Sequence, residues 1–190
     1  MTRIAIIVGS TRPGRKARDV AEWIHSIAIR RTDAEFSIVD LLDAALPLLD
    51  EPIPPAAAQY RHDHTRRWAT TVDQFDGYVF VTPEYNHSTS AALKNALDFV
   101  YAEWTNKAAG FVGYGVSGGT RAVEHLRLVM AELQVADVRG QVALSLWDDF
   151  SESGVVTPRP QQAEAAAAML GQLVAWSTAL RSVRVHQPVP

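Results

Sequence analysis

The sequence predicts an α/β fold, with one parallel sheet of five strands and helices on both of its faces. Three observations lead there. Short apolar runs of strand length alternate along the chain with longer stretches whose apolar residues recur at helical spacing, the pattern of repeated β-α-β units. The runs are continuous rather than alternating, as expected of strands covered on both faces. The segments following the first, third and fourth runs are polar and carry glycine or proline, and right-handed crossovers bring all such strand-to-helix loops to one edge of the sheet.

Taken in order, Arg3 to Val8 is the first strand, and a helix from Ala17 follows with Val20, Ala21, Ile24, Ile27 and Ala28 on its apolar side. Phe36 to Leu41 is the second strand. The proline-rich segment from Leu46 to Pro55 suits neither helix nor strand and reads as a surface connection. Trp68, Val72 and Phe75 mark a helix leading through Gly77 into the third strand, Tyr78 to Thr82. The next helix carries Leu93, Ala96, Leu97, Val100, Tyr101 and Trp104, a stripe wider than one sheet face requires, and part of it is expected to meet another subunit. Ala108 to Val116 is the fourth strand. A helix from Ala122 to Leu133 turns Leu126, Val129, Met130 and Leu133 inward, and Gln141 to Leu146 is the fifth strand. Pro160 stands at a helix start, Ala163 to Leu180 closes the fold, and the tail from about residue 183 is expected to be irregular.

Composition narrows the function classes. With 190 residues, 47% of them hydrophobic, the chain can bury a core as one domain spanning 1–190. The absence of cysteine excludes a disulfide framework, a thiolate nucleophile, an iron–sulfur cluster and cysteine-ligated zinc. A net charge of −3 gives no basic field for nucleic acid. The apolar run Ile4 to Val8 has no small-residue cleavage site behind it, and no stretch is long enough to span a bilayer, so the expectation is a cytoplasmic enzyme or carrier with no membrane or nucleic-acid partner.

Three loops carry the chemistry. The first, Gly9-Ser10-Thr11-Arg12-Pro13-Gly14-Arg15-Lys16, joins a buried strand to a helix N-terminus, where free N–H groups, two hydroxyls and three cations favour a phosphate. It is not a P-loop, because Arg15 precedes Lys16 and Ala17 replaces the hydroxyl residue that would hold Mg²⁺. The G-x-G-x-x-G dinucleotide signature is absent, leaving Asp40 without a partner motif for reading a ribose. The second loop, Pro83-Glu84-Tyr85-Asn86, has a fixed backbone, one aromatic ring and one amide, a set that suits a planar heterocycle. The alternative reading is a plain helix entry capped by Asn86 or Ser88. The third, Gly115-Val116-Ser117-Gly118-Gly119, matches the nucleophile elbow G-x-S-x-G, with Asp148 or Asp149 and then His186 in the order a serine hydrolase requires. Its glycines equally allow backbone to approach a flat ligand. His62 and His64 flank Asp63, but Arg61, Arg66 and Arg67 would repel a metal, and no metal ligands are assigned.

Together, G-S-T-R-P-G-R-K from Gly9, D-L-L-D-A-A-L-P-L from Asp40, P-E-Y-N-H-S-T-S-A-A-L-K-N-A-L-D from Pro83 and G-Y-G-V-S-G-G from Gly113 resemble the NAD(P)H-dependent FMN reductases of flavodoxin-like fold. The resemblance runs from about residue 3 to about residue 145. It implies a three-layer sandwich with strand order 2-1-3-4-5, FMN as cofactor and NADPH or NADH as hydride donor. It also implies a small-molecule electron acceptor such as free flavin or a quinone, and a homodimer or homotetramer. By the same resemblance Ser10, Thr11, Arg12, Arg15 and Lys16 would hold the FMN phosphate. Pro83, Glu84, Tyr85 and Asn86 would line the isoalloxazine, and Ser117, Gly118 and Gly119 would close its other side. No catalytic acid or base is assigned, since the flavin carries the chemistry. A flavodoxin-like electron carrier is the alternative from another class, set against the basic first loop.

Overall fold

Strands buried from end to end cannot lie at the margin of a sheet. In the computed structural model, which describes residues 1–185, β1 (Thr2–Val8), β3 (Gly77–Pro83) and β4 (Ala108–Gly115) have nearly every residue buried. These three occupy the middle. β2 (Ala34–Asp40) and β5 (Ala136–Ser145), of mixed burial, form the edges, and the all-parallel order is β2-β1-β3-β4-β5. This is the flavodoxin-like order, whose direction of winding reverses between β1 and β3 and opens a crevice beyond their carboxyl ends.

Helices cover both faces. α1 (Ala17–Ala28) and α6 (Pro160–Val185) pack Val20, Ile24, Met169, Leu170 and Leu173 onto one face of the sheet. α3 (Asp63–Asp73), α4 (Ala91–Asp98) and α5 (Thr120–Glu132) pack Trp68, Leu93, Leu97, Val123 and Leu126 onto the other. Between β2 and α3 the chain makes a four-residue helix, α2 (Leu41–Ala44), and then runs irregularly to a 3-10 turn at Pro55–Ala57, as its prolines require. Asp40 caps α2 by accepting the Leu42 N–H at 3.0 Å, which ends β2 one residue before Leu41.

Three expectations need correction. The apolar surplus beyond α4 does not reach toward another subunit. The helix stops at Asp98, the chain wraps back, and Trp104, 0% exposed, lies 4.8 Å from Tyr78 and about 6 Å from Trp68 and Phe80, centroid to centroid. Its indole N–H donates to Leu97 O at 3.2 Å, and the Tyr101 hydroxyl donates to Glu132 O at 3.0 Å. β5 begins at Ala136, five residues before Gln141. Asp137 and Arg139 sit in an edge strand that tolerates charge, and Arg127 of α5 pairs with Asp137 and donates to Val138 O at 3.0 Å. α6 continues through residue 183 to Val185, held by Arg184, which pairs with Asp76 and donates to Asn106 O at 2.8 Å. His186 lies outside the described residues.

Lys107, 3% exposed at the foot of β4, makes stability depend on pH. Its ammonium donates to Val72 O at 3.2 Å and Asp73 O at 3.1 Å and lies 5.7 Å from the Tyr78 ring centroid. Burial outweighs the attraction of Asp73 and brings its pKa down from 10.5 to about 8. Between those values the unfolded chain binds the proton that the folded chain has released, so stability rises with pH across that window. Urea unfolding should therefore show a Lys107 contribution growing by about 2 kcal/mol between pH 7.5 and 9.5. The Lys107→Met variant should lose that part of the profile, and an equally steep profile in the variant would reject the assignment.

Candidate functional site

The crevice at the β1/β3 reversal is where the three loops meet. The register places Val8 beside Val81 and Pro83 beside Tyr114, so the strands deliver their loops side by side. Cross-bonds then fasten them. Gly9 N–H donates to Val81 O at 2.8 Å, Ser90 Oγ donates to Gly9 O, and Glu84 N–H donates to Tyr114 O at 2.9 Å. Ser90, rather than Asn86 or Ser88, is the cap of α4, accepting the Leu93 N–H at 3.1 Å.

In the first loop the five residues implied as phosphate ligands fall into two groups. Arg15 donates to Asp40 at 2.6 Å and to Ser10 O at 2.8 Å, and Lys16 donates to Gly154 O at 2.9 Å and lies 5.3 Å from the Phe150 ring centroid. Both side chains are already engaged in holding the loop to β2 and to the segment after β5. Arg12 is exposed and its guanidinium forms no ion pair among the described residues. Ser10 is 1% exposed, shares a 3.1 Å hydrogen bond with the Tyr85 hydroxyl and accepts the Arg12 N–H at 3.4 Å; Thr11 is half-buried beside it. No side chain caps α1 at Lys16, so the first-turn N–H groups of a twelve-residue helix face the loop uncapped.

The second loop is a two-residue hairpin. Tyr85 and Ser88 exchange backbone hydrogen bonds of 2.9 and 3.1 Å, and both residues between them are left-handed, Asn86 at φ 48° and His87 at φ 75°. Turns of this kind favour Asn-Gly, so a histidine in the second place is held under strain. Strain of this sort clusters where a loop must keep one shape for a ligand. Tyr85 leans toward the first loop through Ser10, while Asn86 is exposed at the tip. Glu84 reaches the other way. Its carboxylate, 7% exposed, accepts the Arg121 N–H at 3.1 Å and the guanidinium at 2.6 Å, capping α5 from outside and tying the second loop to the third.

The third loop turns through Gly118 at φ 69° and Gly119 at φ 70°. A side chain at Gly119 would stand 2.5 Å from Tyr114 N, and one at Gly118 3.0 Å from Ala143 Cβ. These buried glycines serve close packing of the turn on its own strands, and the exposed members of the loop are Val116 and Ser117. Ser117 Oγ accepts from Arg121 at 3.2 Å, and an arginine cannot act as its base. Asp149 is fully buried. Burial alone would raise its pKa, but hydrogen bonds from Arg159 and Ser145 N–H hold it below the usual carboxylate range. A charge relay through Ser117 has no support in these contacts.

Tyr114 was not singled out by sequence, where it reads as one more apolar member of a strand. It is 6% exposed, and its hydroxyl meets no hydrogen-bond partner among the described residues. Burial first, then the neighbouring Tyr85, push its pKa well above the ordinary phenol, against the opposing pull of Ser10, Arg12 and Arg15. Arg121 and His125 were also not assigned to the site; His125 Nδ1 bonds the Ser88 hydroxyl at 2.9 Å and Arg121 the His87 ring at 3.2 Å, bracing the hairpin from α5.

The arrangement therefore offers an anion seat at the head of α1, a hairpin closed by its own backbone hydrogen bonds with the Asn86 amide exposed at its tip, and a third loop fastened beside them. A NAD(P)H-dependent FMN reductase of Nectria sp is 36% identical over 180 residues, covering 88% of this chain and 89% of its own. A 2-hydroxy-1,4-benzoquinone reductase of Burkholderia sp is 32% identical over 144 residues, covering 70% and 72%. FerB, a flavoenzyme NAD(P)H:(acceptor) oxidoreductase from Paracoccus denitrificans, shares the fold with a TM-score of 0.73 at 22% identity, over 94% of this chain and 98% of its own. The model of the family described as NADPH-dependent FMN reductase matches residues 2–149, from the first strand past the last, and the chain belongs to that family.

Proposed function

We propose that this chain is a flavoprotein oxidoreductase that moves hydride from NADPH or NADH to bound FMN and passes the electrons to free flavin, a quinone or a similar small acceptor. One observation carries the reading. The uncapped N-terminus of α1 adjoins a loop with a buried serine, and with an arginine outside any ion pair and a tyrosine hydroxyl lacking a partner among the described residues, in the crevice at the β1/β3 reversal. That donor set fits a phosphate ester, which needs several N–H and O–H donors and at least one cation.

FMN bound there would supply the hydride-accepting chemistry that no side chain possesses. Ser10, Thr11 and Arg12 would hold the phosphate, with Arg15 and Lys16 keeping the loop in shape through Asp40 and Gly154. Pro83, Glu84, Tyr85 and Asn86 would line the isoalloxazine with the Tyr85 ring and the exposed Asn86 amide, on a hairpin held in shape by its own backbone hydrogen bonds. Ser117, Gly118 and Gly119 would close the far side, steadied by the Arg121–Glu84 pair. No proton-transferring residue is assigned; orientation and exclusion of water are what the protein contributes.

The reading extends to residues 1–190 as one FMN-binding domain, acting in the cytoplasm as a homodimer or homotetramer. Among the described residues no helix is long and apolar enough to cross a membrane. Exposed Val116, Leu128 and Trp147 are apolar side chains available to a second copy. The test is anaerobic mixing of FMN-loaded protein with NADPH and, separately, NADH, followed at the visible flavin band. Rapid bleaching is expected. Tight FMN binding without bleaching by either nucleotide would make the protein an electron carrier, and no FMN binding would overturn the proposal.

A further inference from the structure

We infer that the Tyr114 hydroxyl is a phosphate-directed donor that lets this site distinguish FMN from riboflavin, an inference that rests on the reading of the first loop as the FMN phosphate site. A buried hydroxyl without a partner is uncommon, because burial strips its water while nothing replaces it. Tyr114 is such a case, 6% exposed, its oxygen influenced by Ser10 but without a partner at hydrogen-bond geometry among the described residues. The groups that act on that oxygen are Tyr85, Ser10, Arg12 and Arg15, all from the first two loops. It therefore lies against the first loop, which carries the uncapped end of α1, the exposed Arg12 and the Ser10 hydroxyl.

The surroundings also decide what the hydroxyl can do. Burial keeps the phenol protonated, so it faces a ligand as a donor. Its ring cannot swing away. Tyr114 O accepts Glu84 N–H at 2.9 Å, the strand pairs with Pro83, and the ring lies 6.2 Å from Phe150, which Lys16 covers from outside. A neutral alcohol gains little from a rigid donor flanked by cations. A phosphate dianion gains a short charge-assisted bond, stronger than the one a ribityl hydroxyl would accept.

The test is Tyr114→Phe, which deletes one oxygen and keeps the ring. FMN and riboflavin affinities would be titrated by flavin fluorescence, and the unliganded protein melted alongside. FMN affinity is expected to fall about 10-fold with riboflavin affinity unchanged, as for loss of a hydrogen bond to a charged group. The unliganded variant should melt at or above the wild-type temperature, since it loses an unsatisfied group. Equal weakening of both flavins would mark a packing role and overturn the inference, as would an unchanged FMN affinity. A lower melting point without ligand would also overturn it, by revealing a partner for the hydroxyl within the protein. If the wild-type protein binds FMN no more tightly than riboflavin, the phosphate assignment itself fails, whatever Tyr114→Phe does.

Discussion

Arg12→Ala should weaken FMN binding by about 10- to 100-fold while leaving the melting temperature of the unliganded protein almost unchanged. The argument turns on which cation of the first loop has nothing else to do. Arg12 is exposed and unpaired among the described residues, so its removal breaks no internal contact. Arg15, by contrast, is bound to Asp40 at 2.6 Å and to Ser10 O at 2.8 Å, with its side chain 13% exposed. Arg15→Ala would strand a nearly buried carboxylate, lowering stability as well as affinity. Parallel flavin titrations and thermal melts of the two variants separate these outcomes. Loss of FMN affinity in Arg15→Ala alone, with Arg12→Ala unaffected, would show that Arg12 is not the phosphate ligand.

The largest stability effect is expected away from the loops. Trp104→Ala should cost about 4 kcal/mol, a substantial part of the 5–15 kcal/mol typical of a folded protein. Trp104 is fully buried between α3 and the sheet, edge-on to Trp68 and Tyr78 and beside Phe80. Its loss opens a void among aromatic rings that cannot easily turn inward, and it frees Leu97 O from a 3.2 Å hydrogen bond. Urea denaturation measures this directly. A cost below about 1 kcal/mol would mean that the neighbouring rings close the gap. The oligomeric state should not change, because Trp104 has no exposed surface to offer another copy.

Trp104 also shows what sequence could and could not reveal. Helical spacing identified Val100, Tyr101 and Trp104 as buried, but burial in one's own core and burial in a partner leave the same stripe. The choice depended on the chain reversing after Asp98, a tertiary event. The strands were legible because a residue covered on both faces must be apolar whatever its neighbours are. The first half of β5 was not, since Asp137, Arg139 and Gly140 become strand through an arginine on another element. In the site, the three loops and their meeting place followed from strand order and handedness. The division of labour among the basic residues did not, because Arg15 finds its partner 25 positions along the chain. Tyr114 was hidden for a related reason, as only the packed structure shows a phenol oxygen with no partner.

The contact between the two ends of the fold bears on how the protein is made. β1 is made before every other element of this fold, yet one of its faces lies in the core that α6 closes, and the hydroxyls of Thr2 and Thr178 meet at 2.8 Å. A partnership separated by 176 positions cannot form until the intervening chain has been made. Until Ala166, Met169, Leu170 and Leu173 emerge, that side of the growing sheet is covered by α1 alone, and the part that α6 will cover stays open to aggregation and to chaperones. The flavin crevice depends on none of the α6 apolar residues directly, but it sits on strands whose packing is completed last. The face of the sheet opposite α3, α4 and α5 is therefore completed by residues far along the chain, after all three crevice loops.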